Sequence, residues 1–243
     1  MRNIRLYTHS PLKVGAAVEL EAGPAGHLVR VLRQRVGAEV TLFNGDGHEY
    51  AGRIIAISGR HHCQVELLDV SQPATESPLA INLVQAVGRG ERMDWCIQKA
   101  VELGIDRIEP VLTERTEVRL KGDRADKRRE HWQQVAIAAC EQSGRVRIPE
   151  IAALKDLHEI DTARQPGYFL DPRAEAGLTR LKAPGPAGVM IVIGPEGGLS
   201  EVETNWLSQQ GLTGLRLGPR VLRTETAGPA AIAILQSHFG DCQ

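Results

Sequence analysis

Two short loops rich in glycine and proline hold the residues of this chain that are best suited to chemistry. The first reads Gly194-Pro195-Glu196-Gly197-Gly198, and the second starts at Gly218-Pro219-Arg220 and continues into the segment 222–226, Leu-Arg-Thr-Glu-Thr. A carboxylate in such a loop can accept a proton, and an arginine can stabilise negative charge that develops during a reaction. The candidate catalytic residues are therefore Glu196, Arg223 and Glu225.

A structural interpretation stays open for each candidate. The first loop has the composition of a strand-to-helix turn that needs positive φ, and either carboxylate can serve as a cap or an ion-pair partner. The loops match neither the dinucleotide pattern GxGxxG nor the phosphate loop GxxxxGK[ST]. The sequence thus disfavours a nucleotide-dependent oxidoreductase and an ATPase.

The segments around both loops predict one edge of a parallel sheet. The apolar run Val189–Ile193 precedes the first loop, and Leu215–Leu217 precedes the second. Ser200 and Glu203 predict a capping box at the start of the next helix. From about residue 79 onward, strand and helix patterns alternate, which is typical of an α/β fold with a mostly parallel sheet covered on both faces. Ligands of such sheets bind beyond the carboxyl ends of the strands.

Residues 1 to about 70 follow a different pattern. Short alternating or β-branched runs, separated by Gly and Asp turns, predict a small β-barrel or compact sheet. Within it, His27–Arg33 has helical spacing and predicts a short amphipathic helix with a basic edge. The polar stretch Asp69–Pro78 contains two prolines and is the predicted linker, which gives domains 1–73 and 74–243.

Length, charge and cysteine content narrow the class of protein. The 243 residues suffice for one full-sized core or two smaller ones. The net charge is -1, so any polyanion has to be met by a local patch. Because we find no apolar run of membrane length and no secretory signal, we expect a cytoplasmic protein without a membrane partner. The dispersed cysteines fit a reducing compartment, and we expect no metal site.

Motifs at four places along the chain resemble the RsmE family of 16S rRNA uridine-N3 methyltransferases, within the SPOUT class of enzymes that use S-adenosyl-L-methionine (AdoMet). They are HLVRVLRQRVGAEVTLFNGDGHEY at 27–50, GERMDWCIQKAVELGIDRIEPVLTERT at 90–116, AIAACEQSGRVRIPEI at 136–151, and IGPEGGLSEVE at 193–203 followed by LRLGPRVLRTETA at 215–227. The resemblance implies an N-terminal PUA-like β-barrel, a C-terminal SPOUT domain with a trefoil knot, and a homodimer whose active site uses both subunits.

The resemblance also implies a cofactor, AdoMet, held by both glycine loops largely through backbone groups. The implied cofactor contacts are Leu170, Gly194, Pro195, Glu196, Gly197, Gly198, Leu217, Gly218, Leu222, Arg223, Thr224, Thr226 and Ala227. The implied reaction methylates N3 of a uridine in 16S rRNA, as free rRNA or in the small ribosomal subunit. Two alternatives stay open: a SPOUT enzyme that acts on another RNA base or a ribose hydroxyl, and an rRNA-binding assembly factor without catalysis.

One departure from the family pattern follows Ala227. Where family members continue with small or apolar helix formers, this chain has Gly228-Pro229. A proline there fits the first turn of a helix and disrupts later turns. The start of the final helix, and with it the placement of Thr226, is therefore left open by the sequence.

RNA contacts are predicted at arginines of the N-terminal domain and at one further position. They are Arg2, Arg5, Arg30, Arg33, Arg35 and Arg145. By pattern alone Arg30, Arg33 and Arg35 fit a solvated helix edge, and the PUA-like resemblance favours RNA contact. The basic run Lys121–Arg129 fits either a second RNA patch or an exposed helix start, and we favour the helix start. The three tryptophans fall in predicted helices and are interpreted as packing anchors.

Overall fold

The chain forms two compact units, described here from a computed structural model that covers residues 4–163, 165–177 and 181–242. The first unit contains the residues up to Glu76 together with Cys140–Ile148, and the second contains Ser77–Ala139 and the residues from Pro149 onward. Within the described ranges, no helix is both long and apolar enough to cross a lipid bilayer. The domain division between residues 73 and 74 stays a prediction.

The first unit is built on a five-stranded sheet with strand order β1-β3-β4-β5-β2. Its strands are β1 (Arg5–Tyr7), β2 (Ala17–Glu19), β3 (Glu39–Phe43), β4 (Glu49–Ser58) and β5 (His62–Ser71). Side chains along β4 and β5 alternate between buried and exposed, as expected of strands with one solvated face. Leu42, Ile54 and Val65 are fully buried in the core of this unit.

A helical segment connects β2 to β3. It consists of α1 (Ala22–Gly26) and a π-helical turn over His27–Val31. The segment thus begins before the predicted start at His27, because Pro24 fits within a first helical turn, where its missing N–H costs nothing. Leu28 is buried and Arg30 is exposed, so the predicted basic edge does face solvent.

The second unit contains a seven-stranded sheet in which every strand pair of the described residues is parallel. The order is β12-β10-β11-β6-β7-β8, with β9 also paired to β7. The strands are β6 (Ile81–Ala86), β7 (Arg107–Leu112), β8 (Glu150–Ile151), β9 (Lys155–Asp156), β10 (Gly167–Leu170), β11 (Val189–Ile193) and β12 (Thr213–Leu215). All residues of β6 and β11 are buried, which indicates cover on both faces and confirms the predicted α/β architecture.

The helices of the second unit follow the predicted order. They are α2 (Arg92–Glu102), α3 (Asp123–Ser143), a short 3-10 helix (Leu157–Glu159), α4 (Glu201–Gln209) and α5 (Thr224–Phe239). The trefoil knot stays a prediction. Helix α3 starts at Asp123, within the basic run Lys121–Arg129 that was interpreted as a helix start, and its last turn belongs to the first unit.

Helix α5 begins at Thr224, so Pro229 lies inside it and not in the first turn. Pro229 has no N–H to donate to the carbonyl of Glu225, four residues earlier. The neighbouring Gly228 lies close to β6, because a Cβ added there would come within 3.1 Å of Gln85 Oε1. The start of the final helix, which the sequence left open, is therefore Thr224, and Thr226 lies in the first turn of α5.

Candidate active site

A cavity of about 770 Å³ lies at the carboxyl edge of the parallel sheet. Strands β12, β10 and β11 are neighbours, and their last residues, Leu215, Leu170 and Ile193, all line the cavity. The two glycine-rich loops leave the sheet at this edge and form the walls. The volume falls within the ~300–1,000 Å³ that is usual for small-molecule sites.

Most of the predicted cofactor contacts line this first cavity. They are Leu170, Gly194, Pro195, Glu196, Gly197, Gly198, Leu217, Leu222, Arg223, Thr224 and Ala227, and the third catalytic candidate, Glu225, lines it as well. Gly218 is outside the lining; its φ of +72° serves the turn that the second loop needs. Thr226 lines a second cavity beside the first, because the first turn of α5 aims it away from the glycine loops.

The first loop is held by the predicted capping box. The Ser200 hydroxyl accepts a hydrogen bond from the Glu203 N–H at 3.2 Å, and Glu203 Oε2 accepts one from the Ser200 N–H at 2.8 Å. The other oxygen of the buried Glu203 side chain accepts a hydrogen bond from the Glu114 N–H at 2.7 Å. Glu203 therefore fastens the loop after β7 to the start of α4 as well as capping the helix, a contact that the local pattern did not predict.

A buried polar chain links both loops to the sheet. The Thr224 hydroxyl donates to the Gly194 carbonyl at 2.7 Å and accepts from the Gln85 amide at 2.9 Å. Gln85 Oε1 accepts from the Cys96 thiol at 3.3 Å. Burial, and secondly the nearby Glu225, raises the pKa of this thiol to about 12, which keeps it protonated as a donor. The distance between the two loops is thus set by side chains of β6 and α2.

Glu196 is held through one carboxylate oxygen. One of its oxygens accepts hydrogen bonds from the Arg89 N–H, at 3.0 Å, and from the Arg92 guanidinium. Burial alone would raise the pKa of this carboxyl, but the amide hydrogen bonds and Arg92 outweigh it, and the pKa lies below its usual value. Glu196 is therefore ionised at neutral pH and is a poor proton acceptor.

The carboxylate of Glu225 has longer contacts with its arginine neighbours. Its Oε1 lies 3.8 Å from Arg92 Nε and 4.0 Å from Arg223 Nη1. Its Oε2 is buried and has no hydrogen-bond partner in the described residues. Within the described part of the chain, the Glu225 side chain therefore makes only long ion-pair contacts, whereas Glu196 Oε1 accepts two hydrogen bonds.

The first cavity carries an excess of positive charge. Seven arginines line it, Arg89, Arg92, Arg115, Arg173, Arg216, Arg220 and Arg223, against four carboxylates, Glu117, Asp171, Glu196 and Glu225. Arg115 donates a hydrogen bond to the Gly197 carbonyl at 3.0 Å, whereas the Arg223 side chain is 79% exposed. The excess of positive charge suits an anionic substrate such as RNA.

Arg89 and Arg92 were missed as site residues in the sequence analysis. Their position after β6, at the same edge of the sheet, was a signal that could have identified them.

The second cavity, of about 820 Å³, shares three residues with the first: Arg89, Arg92 and Glu225. Its remaining lining comes from α2, α3 and the start of α5, and consists of Glu91, Asp94, Trp95, Gln98, Val135, Ala138 and Thr226. Trp132 is fully buried, as a packing anchor should be, whereas Trp95 is 44% exposed. The interpretation of Trp95 as a packing anchor was therefore wrong.

The predicted RNA contacts divide into two groups. Arg30, Arg33 and Arg35 are exposed in the first unit and are free to meet phosphates. Arg145 is only 4% exposed, and its guanidinium donates to Glu76 Oε2 at 2.7 Å. Arg5 stacks over the Phe43 ring at 4.9 Å and donates to the Arg145 carbonyl. Arg5 and Arg145 thus have structural contacts in place of the predicted RNA contacts, and Arg2 lies outside the described residues.

Comparisons with known proteins agree with this geometry. Residues 75–236 match the RNA methyltransferase domain family, and residues 25–68 match the RNA methyltransferase PUA domain family. The first match covers most of the second unit, including both glycine loops. The described residues contain no cluster of three or more His, Cys, Asp or Glu side chains that could hold a metal ion.

Relatives that match over nearly the whole chain identify the family more specifically. Ribosomal RNA small subunit methyltransferase E of Buchnera aphidicola subsp. Schizaphis graminum is 32% identical over 98% of this chain and 97% of the relative. The protein of that name from Mycobacterium bovis is 30% identical over 94% of this chain and 92% of its own length. A crystal structure of the Neisseria gonorrhoeae protein of the same name, bound to S-adenosyl methionine, has a TM-score of 0.91 and 34% identity, and each chain is covered completely. The chain therefore belongs to the RNA methyltransferase family that includes ribosomal RNA small subunit methyltransferase E.

Proposed function

We propose that this protein is an AdoMet-dependent methyltransferase that methylates N3 of a uridine in 16S rRNA of the small ribosomal subunit. The observation that carries the proposal is the first cavity, where both glycine-rich loops meet at the carboxyl edge of the sheet and Glu225 forms part of the wall. The bound S-adenosyl methionine of the Neisseria relative supports the choice of cofactor.

The residues around the first cavity fit AdoMet. Apolar side chains such as Leu170, Leu199 and Leu222 suit the adenine ring, and the exposed backbone groups of the glycine loops suit the ribose and the amino-acid part. Gly194 and Gly197 let the first loop pack tightly against its neighbours, since a Cβ would come within 3.0 Å of Leu199 at Gly194 and within 3.3 Å of Arg115 at Gly197. When bound, AdoMet supplies an activated methyl group on a sulfonium centre.

The protein has to orient the uridine and remove its N3 proton. N3 carries a proton at neutral pH, and its lone pair is delocalised into the ring, so a base has to act as the new bond forms. We assign this role to Glu225, which lines both cavities and whose Oε1 lies 3.8 Å from Arg92 Nε and 4.0 Å from Arg223 Nη1, beyond hydrogen-bond distance. Arg92 and Arg223 lie beside Glu225 and can stabilise negative charge on the uracil oxygens. Glu196 then acts as a positioning residue that holds Arg92 and the loop before α2.

We also propose that the two domains have different roles. Residues 1–73 form the PUA-like RNA-binding domain and residues 74–243 the SPOUT methyltransferase domain, which the two family matches support. The exposed Arg30, Arg33 and Arg35 contact rRNA phosphates. The protein works in the cytoplasm, where its rRNA substrate is found, and as a homodimer; a monomer with full activity in light scattering would contradict the dimer.

Mass-spectrometric mapping of rRNA tests the function directly. The purified protein is incubated with AdoMet and with small ribosomal subunits, or free 16S rRNA, from a strain that lacks it. We expect one uridine to gain a single methyl group, and its fragmentation to place the group on N3. Methylation of another base or of a ribose would instead support a SPOUT enzyme with a different target. If neither substrate were methylated, the alternative that remains would be an rRNA-binding assembly factor without catalysis.

A further inference from the structure

The second cavity contains an exposed tryptophan that packing does not explain. Trp95 lies on α2, and the residues that follow it, Cys96 and Ile97, are buried against the sheet. Trp95 faces the cavity instead, together with the small or apolar side chains of Val135 and Ala138 from α3. A partly exposed aromatic ring of this size offers a flat apolar face on which a ligand ring can stack.

Polar groups surround this stacking surface. Asp94 Oδ2 is 2.7 Å from His131 Nε2, while its Oδ1 is buried without a hydrogen-bond partner in the described ranges. Glu225 also lines the cavity, and Gln98 adds an exposed amide that offers both a donor and an acceptor. Arg89 and Arg92 bring positive charge to the same cavity.

A pyrimidine base matches this set of groups. Single-stranded bases that proteins read are held by stacking on aromatic rings and by hydrogen bonds to their edges. Uracil presents one N–H donor between two carbonyl acceptors, so it needs an acceptor such as Glu225 and donors such as Gln98 and Arg92. Glu225 and Arg92 line both cavities, so a base in the second cavity can present its imide edge to residues that also face the first.

We infer that the second cavity receives the target uracil, stacked on Trp95, with its N3–H directed at Glu225. This inference rests on the proposed function and adds the binding site of the flipped base to it. Trp95 is then a substrate-binding residue that does not touch the cofactor. A second copy of this chain is the other occupant to consider, and the experiment separates the two.

The experiment compares Trp95→Ala and Trp95→Phe with the wild-type protein. Gln209→Ala, at an exposed position on α4, is the control for a substitution outside the cavity. Loss of the stacking surface should raise KM for the RNA substrate by roughly 5- to 100-fold, and Phe should restore most of the loss. The dissociation constant for AdoMet, measured by calorimetry, should stay within about twofold, since Trp95 does not line the first cavity.

A crosslinking experiment gives a second readout that does not depend on turnover. RNA in which uridine is replaced by 5-bromouridine should crosslink on irradiation to the peptide that contains Trp95. An unchanged KM for the RNA substrate in Trp95→Ala, or a crosslink found only in other peptides, would overturn the inference. The proposed function would still hold in that case if the wild-type protein methylated uridine. A Trp95→Ala protein that turns from dimer to monomer would also overturn it, in favour of the second copy. Absence of uridine methylation by the wild type would instead refute the proposed function.

Discussion

The Thr224 hydroxyl donates a hydrogen bond to the Gly194 carbonyl at 2.7 Å, which joins the first turn of α5 to the first glycine loop. Thr224→Val keeps the shape but leaves the Gly194 carbonyl without its hydroxyl partner, while the Gln85 amide keeps its hydrogen bond to the Ala86 carbonyl. A buried group left in this state costs about 1–3 kcal/mol. We expect a lower free energy of unfolding by that amount and weaker AdoMet binding in calorimetry. Thr224→Ser keeps the hydroxyl and should behave almost like the wild type; equal losses in both variants would contradict the role of the hydrogen bond.

The capping contacts of Glu203 predict a second stability effect. This side chain is 1% exposed and holds both the start of α4 and the Glu114 amide. Glu203→Ala removes the acceptor from the buried Ser200 N–H and the partly buried Glu114 N–H and should lower the free energy of unfolding by about 1–3 kcal/mol. Urea denaturation measures it. Glu201→Ala, at an exposed position in the same turn, is the matched control and should change stability by less than about 0.5 kcal/mol.

Glu196 predicts a pH dependence of stability. Its pKa is lowered in the folded protein, so its contribution is complete above the unfolded value of 4.5 and is lost as the pH falls through the folded value. The difference in unfolding free energy between the wild type and Glu196→Gln should therefore be constant near neutral pH and shrink below pH 4.5. Glu175→Gln, in an exposed loop, should show no such trend. A difference that grows on acidification would contradict the hydrogen-bonded, ionised state of Glu196.

The assignment of the base predicts unequal effects for the two loop glutamates. Glu225→Gln removes the proton acceptor and should lower kcat by about 10²- to 10⁴-fold with little change in AdoMet affinity. Glu196→Gln keeps a hydrogen-bond acceptor for Arg89 and Arg92 and should cost less in kcat. Single-turnover methylation at saturating AdoMet measures both. A larger loss in Glu196→Gln than in Glu225→Gln would reverse the assignment.

Salt dependence tests the RNA-binding surface of the first unit. Replacing Arg30, Arg33 and Arg35 with Gln should weaken rRNA binding and reduce the slope of log K against log salt concentration by about one for each phosphate that the variant no longer neutralises. The triple variant Arg124→Gln, Lys127→Gln and Arg129→Gln removes the same charge from the exposed start of α3 and should change the slope less. Equal effects would mean that general charge, and not the first unit, governs binding.

Local patterns predicted the parts of the site that depend on neighbouring residues. The capping box of Ser200 and Glu203 was predicted because both partners lie within one helical turn. Arg145 was assigned to RNA because its partner, Glu76, lies 69 positions earlier in the chain, and no local pattern indicates a contact at that separation.

The exposure of the tryptophans could not be predicted, because each of them fits a helical pattern equally well. Trp95 and Trp132 both lie in helices, yet one faces a cavity and the other the core, since tertiary packing decides which side of each helix is covered. Pro229 was expected in the first turn of the final helix, but α5 begins five residues earlier, at Thr224, and the neighbouring Gly228 lies close to Gln85 of β6, a contact that no local pattern indicates.

A crystal structure of the protein with S-adenosylhomocysteine tests the central claim most directly. The account predicts this ligand in the first cavity, in contact with the backbone of Gly194–Gly198 and of the second loop at Leu217 and Leu222, next to Glu225. Ligand density at any other place, or a first cavity that stays empty at saturating ligand concentration, would contradict the account.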